Sequence, residues 1–426
     1  MRKAFLSRLP KCSFISFFFL CATVQMVGAQ EIMDIQTSAE ANGMAGIASS
    51  LPSDEAAATI ANPAQLGIFS LEGILNASTY AAKASWLGSN NLNVTALNVG
   101  IKSSDFFDFP FQFSVGAGYS RTFLGLGSII WMSGNGNIRG LLPEWEKQEN
   151  YTIGVGVDWF VKLGFGYNFK TLNADVPISD SSGYRSSVAN TNAHDYGAMV
   201  QIPAADIVSY FADQPLTISP KLKPVLNINI GYARRNIGDY LFIPGAILES
   251  SYQSLPRTAT LGLNFDLGIK TVVENREWTF FSFIWAREAE DQLLLNLPLA
   301  SPAGNSSFEF QYKSGLGNIE PIDNLILGRT YGKVDLRKGW QVQLADFLFV
   351  RGGKFEGIGY SYSTFGTSVK LNGLLKLLAA FDMVNINSGT FAFLVDHLDL
   401  QYDYSRYSTG APLNGTTFKA INLVIK

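Results

Sequence analysis

The run Ala259-Thr260-Leu261-Gly262-Leu263-Asn264-Phe265-Asp266-Leu267-Gly268-Ile269-Lys270 decides the fold. Ala259, Leu261, Leu263, Phe265, Leu267 and Ile269 alternate with Thr260, Gly262, Asn264, Asp266, Gly268 and Lys270. A period of two is the period of a β-strand, so one face is greasy and the other polar or small. An Asp and a Lys on the second face suit a watery lumen better than the core of a sandwich. The pattern recurs upstream, where Leu226, Ile228, Ile230 and Tyr232 alternate with Asn227, Asn229, Gly231 and Ala233. Phe111 to Ser120 and Leu398 to Ser405 repeat it. From Tyr151 to Phe169 the odd positions are all apolar or aromatic, which reads as one long strand or as a hairpin turning near Asp158.

Composition states the same solvent preference. The 426 residues are 47% hydrophobic and 13% aromatic, with 16% charged and 40 glycines. A soluble domain carries about 25% charged residues. Yet the longest apolar stretch after the N-terminus, Leu374 to Val384, is broken by Lys376 and Asp382 and falls short of the ~20 residues a membrane helix needs. In lipid only helices and closed barrels satisfy every backbone polar group, so an apolar chain without a membrane helix points to a transmembrane antiparallel β-barrel of the outer membrane. At roughly 28 residues per strand with its loop, about 14 strands are expected, in the range of about 12 to 16. Further strands are expected over Leu71–Ala84, Leu92–Ile101, Trp278–Trp285, Ser307–Lys313, Leu325–Leu336, Trp340–Val350, Ile358–Val369 and Phe418–Ile425. Trp86, Trp131, Trp159, Trp278, Trp285, Trp340, Tyr404 and Tyr407 are candidates for the aromatic girdles at the two water interfaces.

The head of the chain reads as an export signal. Met1-Arg2-Lys3, with Arg8 and Lys11, precedes an apolar stretch from Phe14 to Val24, and Val27-Gly28-Ala29 offers small residues to a signal peptidase. Residues 1–29 are therefore assigned to the signal, 30–70 to an N-terminal hatch and 71–426 to the barrel. Cleavage would remove both cysteines, Cys12 and Cys21, and with them any disulfide or thiolate metal site. It would also take four of the 32 basic residues, leaving 28 against 35 acidic ones, a net of −7. With no basic patch, a nucleic-acid partner is excluded.

Catalytic material is sparse. His194 stands in Ala193-His194-Asp195 at an expected loop-to-strand junction. His397, flanked by Asp396 and Asp399, is expected to begin a strand as lumen or rim polarity rather than a metal ligand. Asp239, Glu288, Glu290 and Asp291 read as solvated loop carboxylates before they read as a calcium site. Gly134-Asn135-Gly136-Asn137 and Arg351-Gly352-Gly353 read as turns, not phosphate cradles. The expectation is no enzyme, no metal and no cofactor.

Two stretches resist the strand pattern. Ile32 to Leu66 is rich in Ala, Gly and Ser, and Asp54 to Ile60 reads as a short helix capped by Ser53 or Asp54, placed to plug the barrel. Val176 to Pro224 reads as a long loop carrying a helix over Ala204–Phe211.

Ala41-Asn42-Gly43-Met44-Ala45-Gly46, Asp54-Glu55-Ala56-Ala57 and Asn62-Pro63-Ala64-Gln65-Leu66 together resemble the superfamily of FadL-like outer-membrane barrels. Ala193-His194-Asp195-Tyr196-Gly197, Leu226 to Tyr232, Asn236-Ile237-Gly238 and Leu255-Pro256 resemble its PorV/PorQ branch. The resemblance implies a barrel of about 14 strands with the N-terminal segment inside as a hatch. It also implies one of two functions: cargo binding or shuttling in type IX-like secretion, or passive uptake of hydrophobic molecules. The expected partners are outer-membrane lipid with secretion-machinery or secreted cargo proteins, or else a hydrophobic ligand. Gly43, Gly46, Asn62, Pro63 and Ala64 are the candidate hatch and turn residues; Asn62 bonding its own backbone would serve simply to turn the chain. The final Leu423-Val424-Ile425-Lys426 departs from the terminal aromatic common in such barrels. A soluble propeller is disfavoured by the low charge and the lack of a blade repeat.

Overall fold

The computed structural model describes residues 31–83, 91–107, 109–132, 138–180, 183–244, 252–273, 276–295, 311–385, 389–408 and 414–426. The assigned signal and Trp86 lie outside these residues, as do Gly134–Asn137 and most of Ser307–Lys313.

Alternation delivers what it promised: 14 strands close into an antiparallel barrel. They are β1 (Leu75–Lys83), β2 (Asn91–Lys102), β3 (Gln112–Met132), β4 (Ile138–Asp158), β5 (Lys162–Asp180), β6 (Gly183–Pro203) and β7 (Leu222–Gly238). The circuit continues through β8 (Thr258–Val273), β9 (Arg276–Gln292), β10 (Asp335–Leu344), β11 (Leu348–Glu356), β12 (Ser361–Lys370), β13 (Leu398–Ser408) and β14 (Thr417–Ile425). Each strand pairs with the next, and β1 closes on β14 in the register Leu75↔Ile425 to Lys83↔Thr417. No backbone edge is left open around the lipid-facing band, which is the requirement for a wall in hydrocarbon.

The greasy faces point outward. Val115, Tyr151, Ile153, Phe165, Leu400 and Tyr402 are exposed, whereas Ser114, Asn150, Asn168, Gln401 and Asp403 are buried inward. The outward band has two borders. At one rim it ends in outward charges, among them Arg121 and Glu149, the latter paired with Lys147 at 3.2 Å. At the other, where β1 begins and β14 ends, it ends in the exposed Trp159, Phe160, Tyr210 and Phe211. We call the second rim the near end and the first the far end. No helix of the described residues is long and apolar enough to cross a membrane, in keeping with crossing by strands. The wall is that of an outer-membrane barrel.

Inside the wall lies the N-terminal segment: α1 (Ala39–Gly43), a 3-10 helix (Ala56–Ile60) and α2 (Ala64–Ser70), all buried. The far half of the lumen is filled by an apolar cluster in which Ile32 and Met33 meet inward side chains such as Tyr80, Leu124, Leu172 and Leu255.

Several expectations are corrected. Most of Val176–Pro224 is not a loop but the ends of β5 and β7 with β6 between them; only Ala204–Ala212 (α3) and a short connection interrupt. His194 falls inside β6, stacked on Tyr167 at 5.9 Å, and not at a loop junction. Asp396 and His397 end a helix, α5 (Gly389–His397), so the strand begins one residue later. The apolar stretch near Leu374 forms α4 (Leu371–Ala380). Arg351-Gly352-Gly353 lies within β11, not in a turn. Glu288, Glu290 and Asp291 belong to β9, not to a loop. Trp340–Val350 is not one strand, because Ala345 and Asp346 both take positive φ (54° and 50°) and turn the chain back. Leu325–Leu336 is not one either: Ile322–Leu327 is helical and ends at Gly328, and β10 starts only at Asp335. Tyr407 and Trp278 do not join a girdle. Both are buried, Tyr407 packed inward with its ring tilted on Tyr362 and edge-on to Phe418, and Trp278 donating to the Ala345 carbonyl.

Candidate functional site

The inward polar face meets the hatch, not bulk water. Side chains from strands all round the barrel bond its backbone. Thr364 of β12 donates to the Gly43 carbonyl (3.0 Å) and accepts from the Ala45 N–H (2.9 Å). One carboxylate oxygen of Glu288 on β9 accepts from the Ala48 and Ser49 N–H groups at 3.0 and 2.7 Å. The amides of Asn264, Asn76, Asn98 and Asn168 donate to the carbonyls of Ser50, Asp54, Ala56 and Thr59 at 2.5, 2.8, 3.2 and 3.0 Å. Irregular backbone can sit at membrane depth only if its polar groups are satisfied this way.

An ion-pair latch holds α1. Arg351, 1% exposed, reaches Glu40 of the hatch at 2.8 Å and Asp403 of β13 at 3.2 Å, and its Nε donates to Gln341. Glu55 lies beside this group, accepting from the Ser38 hydroxyl. Burial and then the neighbouring Asp403 and Glu40 push its carboxyl up to about 8, against the Ser38 bond, which favours the ionised form. Next to it, Asp54 is held below the usual carboxylate range: burial works the other way but is outweighed by Lys426 and Lys370.

The sequence-predicted residues fall on two walls. Gly43 ends α1 so close to β12 that a Cβ there would lie 3.2 Å from the Gly366 Cα. Gly46, at φ +90°, turns the chain over Arg337 of β10. Asn62, Pro63 and Ala64 sit across the lumen against β5 and β6. Asn62 donates to the Ser49 carbonyl at 2.7 Å and accepts from the Ala64 N–H at 3.0 Å, an Asx-type bond to its own backbone at the entry to α2. The expected cap of the preceding turn is different: Glu55, not Ser53 or Asp54, occupies that position, although Ser53 accepts from the Glu55 N–H at 3.1 Å. The fastening residues Arg351, Glu288, Asn168 and Asn264 were legible in the sequence only as polar positions of alternating strands.

Between the hatch and the near end lies a cavity of about 890 Å³. Hatch residues Glu40, Asp54 and Glu55 form part of its lining, with inward amides from several strands and, at the mouth, Trp159, Phe160 and Tyr210. Among the described residues no group of His, Cys, Asp and Glu is arranged to hold a metal ion.

The fold and the filled lumen define an outer-membrane β-barrel with an internal hatch. No protein-family model and no curated protein matches the chain. Among solved structures it is similar to the toluene transporter TodX of Pseudomonas putida, at 10% identity and a TM-score of 0.40, over 92% of this chain and 98% of that one. The toluene transporter TbuX of Ralstonia pickettii gives 12% and 0.38 over 90% and 96%. The translocator domain of the autotransporter NalP from Neisseria meningitidis gives 9% and 0.37 over 83% and 87%. Likeness of this degree leaves function to the site itself.

Proposed function

We propose that this protein is a closed barrel of the PorV type, serving protein secretion by binding cargo or machinery proteins at its exposed ends. The observation that supports this reading is how the hatch is fastened. Its backbone is bonded by side chains of β1, β2, β5, β8, β9 and β12, and its helix α1 is held by the buried Arg351. Releasing it would strand many buried polar groups at once, each at a cost of about 1–3 kcal/mol. A conduit for apolar solutes calls for an apolar path beside a hatch that moves. Here the space beside the hatch mixes carboxylates and amides with apolar side chains such as Ile68, Ile284, Phe349 and Val424, so no unbroken apolar path runs along it.

The test is gentle detergent extraction of the tagged protein from the outer membrane, with mass spectrometry of co-purifying proteins and lipids. Stoichiometric secretion components or a secreted protein support the docking reading. A bound fatty acid or other apolar molecule without protein partners, together with uptake by protein-loaded vesicles, overturns it in favour of FadL-like transport.

A further inference from the structure

The near-end cavity is chemically one-sided. Along its lining, eight carboxylates face three lysines, Lys162, Lys270 and Lys370, while Arg351 and Lys426 behind the wall pair with two of the eight, Glu40 and Asp54. The lysines are already engaged: Lys162 with Glu72, Lys270 with Glu277 at 3.7 Å, and Lys370 with Asp399 and Asp54 at 3.4 and 3.6 Å. A concave, low-dielectric wall of one sign concentrates the opposite charge.

A second observation is independent of the charge count. Among the described residues, four buried polar atoms of this lining have no hydrogen-bond partner: Glu55 Oε1, Asp399 Oδ1, Asn422 Oδ1 and Gln201 Nε2. Glu55, Asp399 and Asn422 are 3%, 8% and 3% exposed. Buried groups of this kind are normally satisfied. Asp399 Oδ1 and Asn422 Oδ1 are acceptors, so the group that completes them is a donor.

The rest of the lining narrows the class. Seven Asn and Gln side chains line the cavity, each with a donor and an acceptor, the complement of a peptide group. Trp159, Phe160 and Tyr210 stand at its mouth, with ring contacts of 4.8 and 5.2 Å between them, as faces for an ammonium or guanidinium to cross.

We propose that this cavity receives a lysine- or arginine-bearing peptide segment entering from the near end, its cation seated against Asp399 and its backbone paired by the inward amides. The inference rests on the docking reading and names the chemistry of one partner segment.

The test uses the full-length protein purified in detergent and a fluorescent glycine–serine peptide carrying two lysines, compared with the same peptide carrying glutamines and with spermidine. The lysine peptide is expected to bind at least about tenfold more tightly than the glutamine peptide, as expected for hydrogen bonds to charged groups. Its affinity should fall as salt is raised, a readout on the unaltered protein. Asp399→Asn should weaken it by about tenfold while the barrel keeps its heat-modifiable migration. Equal binding of the glutamine peptide, spermidine binding as tightly as the lysine peptide, or no binding by folded protein overturns the proposal. Failure with protein partners still co-purifying removes this site and leaves the docking function standing; loss of partners with peptide binding intact does the reverse.

Discussion

Arg351 is the side chain on which the seating of the hatch turns. A guanidinium this deeply buried is tolerable because Asp403, Glu40, Gln341 and Ser368 surround it. Arg351→Met keeps the volume but leaves two carboxylates uncompensated, and removal of one partner of a buried pair costs about 3–5 kcal/mol. Urea unfolding of the protein in lipid vesicles should show that loss, with protease nicking of residues 39–61 appearing first. Glu55 predicts a pH dependence. Facing it are the Ser38 hydroxyl and the Ala39 N–H, Glu40 of α1, Asp403 of β13 and Tyr80 of β1. Its folded value, about 8, lies above its ordinary 4.5, so the fold favours the protonated acid. The associated stability is full below the ordinary value and is lost as pH rises through about 8. Hydrogen exchange of the hatch, corrected for the intrinsic pH dependence of exchange, should therefore quicken as pH rises from the ordinary 4.5 to about 8 and level off above, and Glu55→Gln should flatten the response.

At the scale of elements, α2 lies in a furrow of glycines. Gly154 and Gly156 of β4 and Gly164 and Gly166 of β5 face it, and a Cβ on Gly156 or Gly166 would lie 2.3 or 2.1 Å from the carbonyl oxygens of Gly67 or Pro63. Glycine in a strand interior weakens the strand but lets a second backbone approach closely. Gly166→Val should therefore displace α2 and expose the hatch to protease, whereas Gly389→Ala, with nothing within 4 Å, should leave it protected. The two-residue alternation of β4 and β5 was plain in the sequence. Their glycine furrow was not, because small inward residues suit a lumen and a packed helix equally well. The left-handed turn at Ala345 and Asp346 was hidden for a related reason: neither residue is a Gly or Asn signal, and the turn is held by Trp278 and by the bond from Gln343 to Asp346 at 2.8 Å.

For the whole molecule, the wall makes a directional prediction. Ile153 is 61% exposed on the outward face of β4, with the charged Glu149 and Lys147 beyond it and the Asp158 turn below. Ile153→Arg should destabilise the barrel in lipid by about 2–4 kcal/mol, read by unfolding in vesicles, and far less in detergent micelles that can adapt around the charge. The far half of the lumen, by contrast, is filled with apolar side chains gathered around Ile32 and Met33. The alternation rule anticipated a polar inner face throughout. It fails there because side chains packed against a hatch are sheltered from water, so an inward Leu124 or Leu172 is as well placed as a serine.

By itself the sequence determined that the chain is a barrel, roughly how many strands it has and which face of each strand meets lipid. Those properties follow from local periodicity and from the demand that every backbone group at membrane depth be paired. Only the tertiary structure decided that polar inward positions such as Glu288, Asn264 and Arg351 grip one internal segment, and that Glu40, Glu55, Asp399 and Asp403 share a neighbourhood. The hatch residues and the strand residues they meet are hundreds of positions apart, as Glu40 is from Arg351 and Ser49 from Glu288, and barrel closure brings them together by register, which no local pattern encodes.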